Sequence, residues 1–305
     1  MNNILLSIIG PTAIGKTSLA IQLAKEYQSD IISADSRQFF QEMNIGTAVP
    51  SKQELEMAKH HFIQHISIQQ EYTVGDFEKD ALNKLDYLFT KNNPQIMVGG
   101  SGLYIDAVIN GLDKFPKVNP EIRTQLNSDL KEKGLPYLQQ QLNVLDPITA
   151  NKIALDNPQR VIRALEICIG TNKPYSSFIN QPKEKRNFTP IKIGLTAPRD
   201  IIYQRIEQRV DIMMNNGLLE EVKKLLPYKN LNALNTVGYK ELFLYLENKC
   251  SLETALDEIK KNTRRFAKRQ LTWFRKDKSI TWFDVTTNPL EDILTFVNQK
   301  TAPQD

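Results

Sequence analysis

Cysteine is nearly absent from this chain. Only Cys168 and Cys250 occur among 305 residues, which excludes a disulfide framework and a cysteine-built metal cluster and fits a reducing compartment. No apolar run is long enough to span a bilayer. No basic segment leads into a signal-type apolar stretch, because "ILLSIIG" runs straight into a glycine-bearing loop. Internal repeats and low-complexity tracts are also missing. These absences point to a cytoplasmic globular protein without a membrane partner, and a monomer is the expected state.

What is present is ordinary in amount and uneven in placement. Apolar residues make up 41% and charged residues 24%, enough for one large domain or two. The net charge of +4 is local. Lys260 to Lys278 holds nine Lys and Arg against the single acid Asp277, leaving 30 basic and 34 acidic residues elsewhere. A one-sign block of this kind suits a polyanion, and nucleic acid is the favoured partner.

The stretch "GPTAIGKTS" carries the strongest motif. Gly10, Gly15, Lys16 and Thr17 meet the phosphate-loop spacing, with a β-branched run before them and helical spacing after. Glycines let successive N–H groups point into one hollow, and the helix N-terminus adds positive potential. The lysine reaches outer phosphates, and the Thr17 hydroxyl is the candidate ligand for Mg²⁺.

Strands and helices alternate around this loop. "DIISADSRQFF" reads as a strand ending at Asp35, "SKQELEMAKHHF" and "DFEKDALNKLDYLFTKN" as helices, and "PQIMVGG" as a buried strand. From "NGLDKFPKVNP" to "TNKPYSSF" the pattern is helical, and strand signal returns at "PIKIGLTAP". Gly217 is a candidate cap for the helix that follows. The fold class expected is α/β: a P-loop NTPase-like parallel sheet flanked by helices, with an all-helical insertion. We place the core at 1–113 and 190–305 and the insertion at 114–189. In the last long helix Leu252, Leu256, Ile259, Thr263, Phe266, Gln270 and Trp273 share one face, with Lys261, Arg264, Arg265, Lys268 and Arg275 on another.

Ligands of such sheets sit beyond the carboxyl ends of the strands. Asp35, Ser36, Arg37, Gln38 and Ser101 are therefore expected near the phosphate. Asp35 has three readings: a carboxylate holding Mg²⁺ through water, a general base, or a turn aspartate. His61 and His65 lack the glutamate of a zinc-protease motif; the alternation of "HFIQHISI" reads as a strand or helix–strand junction, and the histidines as structural or hydrogen-bonding. Trp273 and Trp282 are read as core or interface anchors. A P-loop kinase for a small metabolite or nucleoside remains an alternative, but it would not need the basic helix. A non-catalytic RNA-binding protein would need that helix but not Lys16 or Asp35.

"GPTAIGKT", "DSRQFF", "MNIGTAVP", "GGSGLY", "LDPITANKIALDNPQRVIRALEI", "TVGYKEL" and "NTRRFAKRQLTWFRK" follow one another from about Ile4 to Phe283. In this order they resemble the tRNA dimethylallyltransferases (tRNA isopentenyltransferases). That family moves a dimethylallyl group from its diphosphate to N6 of the adenosine 3′ of the anticodon, position 37. The resemblance implies that Gly10, Pro11, Thr12, Ala13, Ile14, Gly15, Lys16 and Thr17 cradle the diphosphate of dimethylallyl diphosphate, with Thr17 on Mg²⁺. It implies catalytic roles for Asp35 as base, for Ser101 and for Lys16. Contacts to tRNA are implied for Asp35, Ser36, Arg37, Gln38, Ser101, Arg123, Gln159, Arg160, Val161, Ile162, Arg163 and Lys240. Arg264, Arg265, Lys268, Arg269, Gln270 and Arg275 complete that set. The chain departs from the family pattern at Ile14, at Phe39 and Phe40, at Gln41 and Glu42, at Val49 and at Asn235.

Overall fold

In the computed structural model, which describes residues 2–301, six strands form one sheet. They are β1 (Asn3–Ile9), β2 (Ile31–Ser33), β3 (His60–His61), β4 (Gln95–Gly99), β5 (Phe188–Thr196) and β6 (Thr281–Asp284), in the spatial order β3-β2-β4-β1-β5-β6. Every pair is parallel. Parallel strands are covered on both faces, which is why β1 reads as a nearly unbroken apolar run. Ile8 of β1 stands opposite Val98 of β4 and Ile193 of β5.

The two faces of β1 bury alternate residues, as the period of two requires. Leu6 and Ile8 pack with Leu19 and Leu23 of α1 (Lys16–Tyr27), and with Ile206 and Val297 further along the chain. Leu5 and Ile9 pack with Phe77, Ala81 and Leu85 of α3 (Val74–Phe89) and with Ile105 and Val108 of α4 (Gly102–Asn110). Each such fully buried aliphatic chain contributes about 1.5–3 kcal/mol, and together they fix where the strand ends lie. Local signals start the helices. Thr73 and Asp76 form a reciprocal capping box at α3, and Ser51 and Glu54 do the same for α2 (Lys52–Met57).

Residues Gly111–Lys185 form a compact unit of their own, and the rest of the chain forms the other. The unit contains α5 (Pro120–Leu145), α6 (Pro147–Ala150) and α7 (Pro158–Thr171) and no strand. Gly134, at φ 79, breaks α5 ahead of Pro136. Asn157 caps α7 and Pro158 occupies its first position. Asp146 ties the unit's turns together, accepting from Thr149 N at 3.0 Å, Thr149 Oγ1 at 2.6 Å, Ser176 N at 2.7 Å and Ser176 Oγ at 3.0 Å.

The remaining helices are α8 (Arg199–Asn215), α9 (Leu218–Leu225), α10 (Tyr239–Leu246), α11 (Leu252–Phe274) and α12 (Leu290–Thr301). Gly217 closes α8 as expected: at φ 95 it follows Asn216 and donates its N–H to the Met214 carbonyl at 3.0 Å, and it also begins α9. Three details differ from the sequence reading. The helical unit begins at Gly111 and ends at Lys185, because Arg186 and Asn187 lead directly into β5. The helix expected over "SKQELEMAKHHF" stops at Met57, and His60 and His61 pair with β2, so the strand reading of "HFIQHISI" holds at its start. The buried stripe of α11 is Ala255, Ile259, Ala267, Gln270 and Phe274. Phe266 and Trp273 are exposed by 39% and 38%, so the helix is rotated from the phase its large residues suggest.

Candidate active site

The strand ends bring the phosphate loop, the Asp35 turn and the Gly100–Gly102 loop together. The loop after β1 turns at Gly10, φ 149, where a Cβ would lie 2.7 Å from the Leu195 carbonyl oxygen. Ala13 and Gly15 also take left-handed backbone, at φ 63 and 105. Gly15 caps α1 without a side-chain acceptor, so the first N–H groups of α1 are left for an anion. Ile14 anchors the loop from inside, with its side chain in the core below the sheet's end.

Lys16 is half-buried, and its Nζ donates to the Pro11 carbonyl at 2.7 Å. Burial lowers its pKa to about 8, opposed by nearby Asp35 and reinforced by Arg209. Sequence reasoning missed two more cations here, both on α8. Arg205 donates to the Ile14 carbonyl at 3.1 Å. Arg209 is pulled below its ordinary value by burial, and Asp35 and Glu54 oppose that shift. Their i, i+4 spacing in "RIEQR" was the available signal.

Two cavities adjoin at this point. One of about 490 Å³ is lined by Thr12–Ser18, Asp35, Glu54, Arg205 and Arg209. A larger one of about 740 Å³ is lined by Ser101, Tyr104, Asn235, Thr236, Lys240 and Trp273 among others. Thr12, Asp35, Thr47, Arg209, Phe266 and Gln270 line both. Asp35 Oδ1 accepts from the Arg37 N–H at 3.1 Å, and Oδ2 accepts no hydrogen bond from the described residues. Ser101 Oγ accepts from the Ser36 N–H at 3.2 Å and lies 3.2 Å from the Ser36 hydroxyl.

Several residues expected on tRNA have other partners. Val161 and Ile162 are fully buried in the core of the helical unit and cannot touch RNA; they are the apolar stripe of α7. Gln270 is 6% exposed. Its Oε1 accepts from Thr12 N–H at 2.9 Å and its Nε2 donates to the Gly100 carbonyl at 2.9 Å, so it joins two loops inside the core. Gln38 is nearly as buried and donates to the carbonyls of Thr47 and Ala48, at 3.2 and 2.8 Å. Arg37 donates to the Asn232 and Ala233 carbonyls, at 3.1 and 2.9 Å. Arg264 pairs with Glu207 at 2.7 Å. In the helical unit Arg123 and Arg163 both reach Glu166 at 3.0 Å, and Arg123 also donates to Gln159 at 3.1 Å. Arg160, Lys240, Arg265, Lys268, Arg269 and Arg275 are exposed.

Glu221 is a further residue that sequence reading passed over. Its carboxylate accepts from the N–H groups of Asn44, Ile45 and Gly46, at 3.1, 2.7 and 3.0 Å, and from the Tyr239 hydroxyl at 2.7 Å. It thereby shapes the "NIGTAVP" loop, whose Thr47 lines both cavities. Among the departures from the family pattern, Val49 lines the smaller cavity and Asn235 the larger. Phe39 is buried against Phe77, Tyr72 and Tyr104. His61 is held by Asp30 at 2.8 Å and His65 lies edge-on to Phe39. No group of three or more His, Cys, Asp or Glu among the described residues could hold a metal ion by itself.

The chain and its fold have known relatives. Residues 38–277 match the family described as IPP transferase. The chain is 61% identical to the tRNA dimethylallyltransferase of Christiangramia forsetii, over 98% of this chain and 99% of that one. It superposes on the crystal structure of the tRNA isopentenylpyrophosphate transferase of Bacillus halodurans with a TM-score of 0.72 and 36% identity, covering 97% and 96% of the two chains. A eukaryotic dimethylallyltransferase acting on tRNA gives a TM-score of 0.80 at 27% identity, over 92% of this chain and 74% of that one.

Proposed function

This chain belongs to the IPP transferase family, and from that membership we propose the reaction its site performs as a tRNA dimethylallyltransferase. The dimethylallyl group passes from dimethylallyl diphosphate to N6 of the adenosine 3′-adjacent to the anticodon, position 37, and diphosphate is released. The observation that carries this reading is the position of Asp35. It stands where the cationic cavity around the phosphate loop meets the larger cavity beside Ser101. A donor diphosphate in the first and an adenine amine in the second would meet at its carboxylate.

An exocyclic adenine amine is a weak nucleophile, because its lone pair is delocalised into the ring. The leaving group therefore carries most of the catalytic demand. As the allylic C–O bond breaks, its electron pair moves onto the diphosphate. Lys16, Arg209, Arg205 and the free N–H groups of α1 stabilise that charge. The N6 lone pair forms the new C–N bond, and Asp35 takes the amine proton. Ser101, held by Ser36, lies on the amine side. The target base leaves the anticodon-loop stack to enter the cavity.

The residues fit Mg²⁺ only as part of a diphosphate complex. Thr17 offers a hydroxyl in the smaller cavity, with the carboxylates of Asp35 and Glu54 on its wall. An ion of this kind does not need an all-protein cage, and Thr17 would be the residue that holds it directly. When bound, it supplies charge neutralisation on the leaving diphosphate.

Single-turnover transfer from dimethylallyl diphosphate to tRNA, followed by mass spectrometry of the nucleosides, tests the reading. Asp35→Asn is expected to bind both substrates and lose about 10²–10⁴-fold in rate. Restoration of the parent rate by high Mg²⁺ would make Asp35 a metal residue instead. ATP-dependent phosphorylation without prenyl transfer would overturn the reading altogether.

A further inference from the structure

Gln270 is a buried amide in an otherwise apolar stripe. Its neighbours on the inner face of α11 are Ala255, Ile259, Ala267 and Phe274. A leucine or methionine would pack there as well, yet would leave two backbone groups unpaired. The Thr12 N–H belongs to the phosphate loop and the Gly100 carbonyl belongs to the loop that carries Ser101. Both are satisfied by this one side chain, at 2.9 Å each. The fit is close: a Cβ on Gly100 would fall 2.3 Å from Gln270 Nε2 and 3.7 Å from Lys16 Nζ. Gln270 also lines both cavities.

The same turn of α11 presents Lys268 and Arg269 to solvent, with Arg275 further along. At about 100° per residue, Lys268 and Gln270 lie on opposite sides of the helix. A polyanion held by the outer side therefore bears on the turn that sets the strap inside. We propose that Gln270 is a positioning residue that couples RNA engagement of α11 to the affinity of the diphosphate site. The strap fixes Thr12 against Gly100 and thereby the cradle between them. An RNA that steadies this turn of α11 steadies the cradle. Binding free energies couple reciprocally, so the diphosphate tightens RNA by the same factor. The inference rests on the tRNA-prenylating reading above.

The test measures one ratio: the Kd of inorganic diphosphate with Mg²⁺, without and with a saturating anticodon stem-loop RNA. For the parent chain the RNA should tighten diphosphate at least about 5-fold, the lower end of ordinary coupling. In Gln270→Met the ratio should fall to about one. Gln270→Glu supplies an independent variant. It accepts from Thr12 N–H at any pH but can donate to the Gly100 carbonyl only when protonated. Its ratio should recover toward the parent value as pH falls, whereas a residue that merely fills space predicts no such recovery. An unchanged ratio in Gln270→Met, or a ratio of one in the parent, overturns the coupling while leaving the reaction assignment intact. Failure of the parent to bind the RNA at all would remove the tRNA reading and the coupling with it.

Discussion

In the helical unit, Arg123 and Arg163 converge on one oxygen of Glu166 at 3.0 Å each. Beside the loop after β1, Lys16 and Arg209 are partly buried and neither forms a salt bridge among the described residues; Lys16 donates to the Pro11 carbonyl instead. Burying a cation is costly unless something opposite answers it. In the helical unit that answer is a carboxylate of the chain itself, so the arginines are part of the architecture. At the loop Asp35 and Glu54 answer the cations only from a distance, without an ion pair, which leaves them open to an anion as the proposed reaction requires. The pairing of a cation thus separates structure from ligand binding better than its residue type does. Along α11 the same distinction recurs, since Arg264 is held by Glu207 while Lys268 and Arg275 have no acidic partner among the described residues.

The largest expected effect probes the unpaired side. Lys16→Met should lower the transfer rate by about 10²–10³-fold, as loss of a donor to a developing anion does. The free lysine, at about 8, is charged below that pH and neutral above it. A bound diphosphate favours the charged form and raises the pKa. Affinity for inorganic diphosphate should therefore be full below pH 8 and weaken as pH rises through it, and Lys16→Met should flatten that dependence. A pH-independent parent affinity would contradict the assignment of Lys16.

The paired side should respond differently. Glu166→Ala leaves Arg123 and Arg163 without their carboxylate. Both arginines are more than a third exposed, with side-chain exposures of 42% and 43%, so water screens part of the loss. About 1–2 kcal/mol of stability is expected to go, read as a lower melting temperature with diphosphate affinity unchanged. A fall in diphosphate affinity would break the contrast. The smallest effect sharpens it along α11. Lys268→Ala and Arg275→Ala should each flatten the log–log salt dependence of tRNA binding by about 0.7–0.9. Arg264→Ala should leave that slope as it was. Equal slopes for all three would mean that Glu207 does not withhold Arg264 from RNA.

Much of the core was readable from local spacing. The run "ILLSIIG" before Gly10 and the glycines of the loop announced β1, the turn and α1. The apolar runs ending in Asp35 and Gly99 announced the strand ends that meet there. Two segments went unread. β6 is four residues of "TWFD", too short and too polar to stand out, and it exists because β5 offers an edge. The stripe of α11 was misjudged because Phe266 and Trp273 suggested burial by their size. Small Ala255 and Ala267 face the core instead, where the helix lies close against its neighbours, and the aromatics line cavities.

The sequence alone determined the glycine-bearing turn between β1 and α1, the parallel α/β architecture, the helical insertion and the sign of charge on the last long helix. Each is a matter of residue type at short separation, which fixes backbone preference and periodicity within one element. Only the tertiary structure decided which cations lack partners, that Arg205 and Arg209 join the loop, that Glu221 shapes the 44–46 turn, and that Gln270 spans from α11 to Thr12 and Gly100. Those facts depend on the rotation of each helix about its own axis and on contacts between residues as many as 258 positions apart. Periodicity constrains the first only loosely and says nothing about the second.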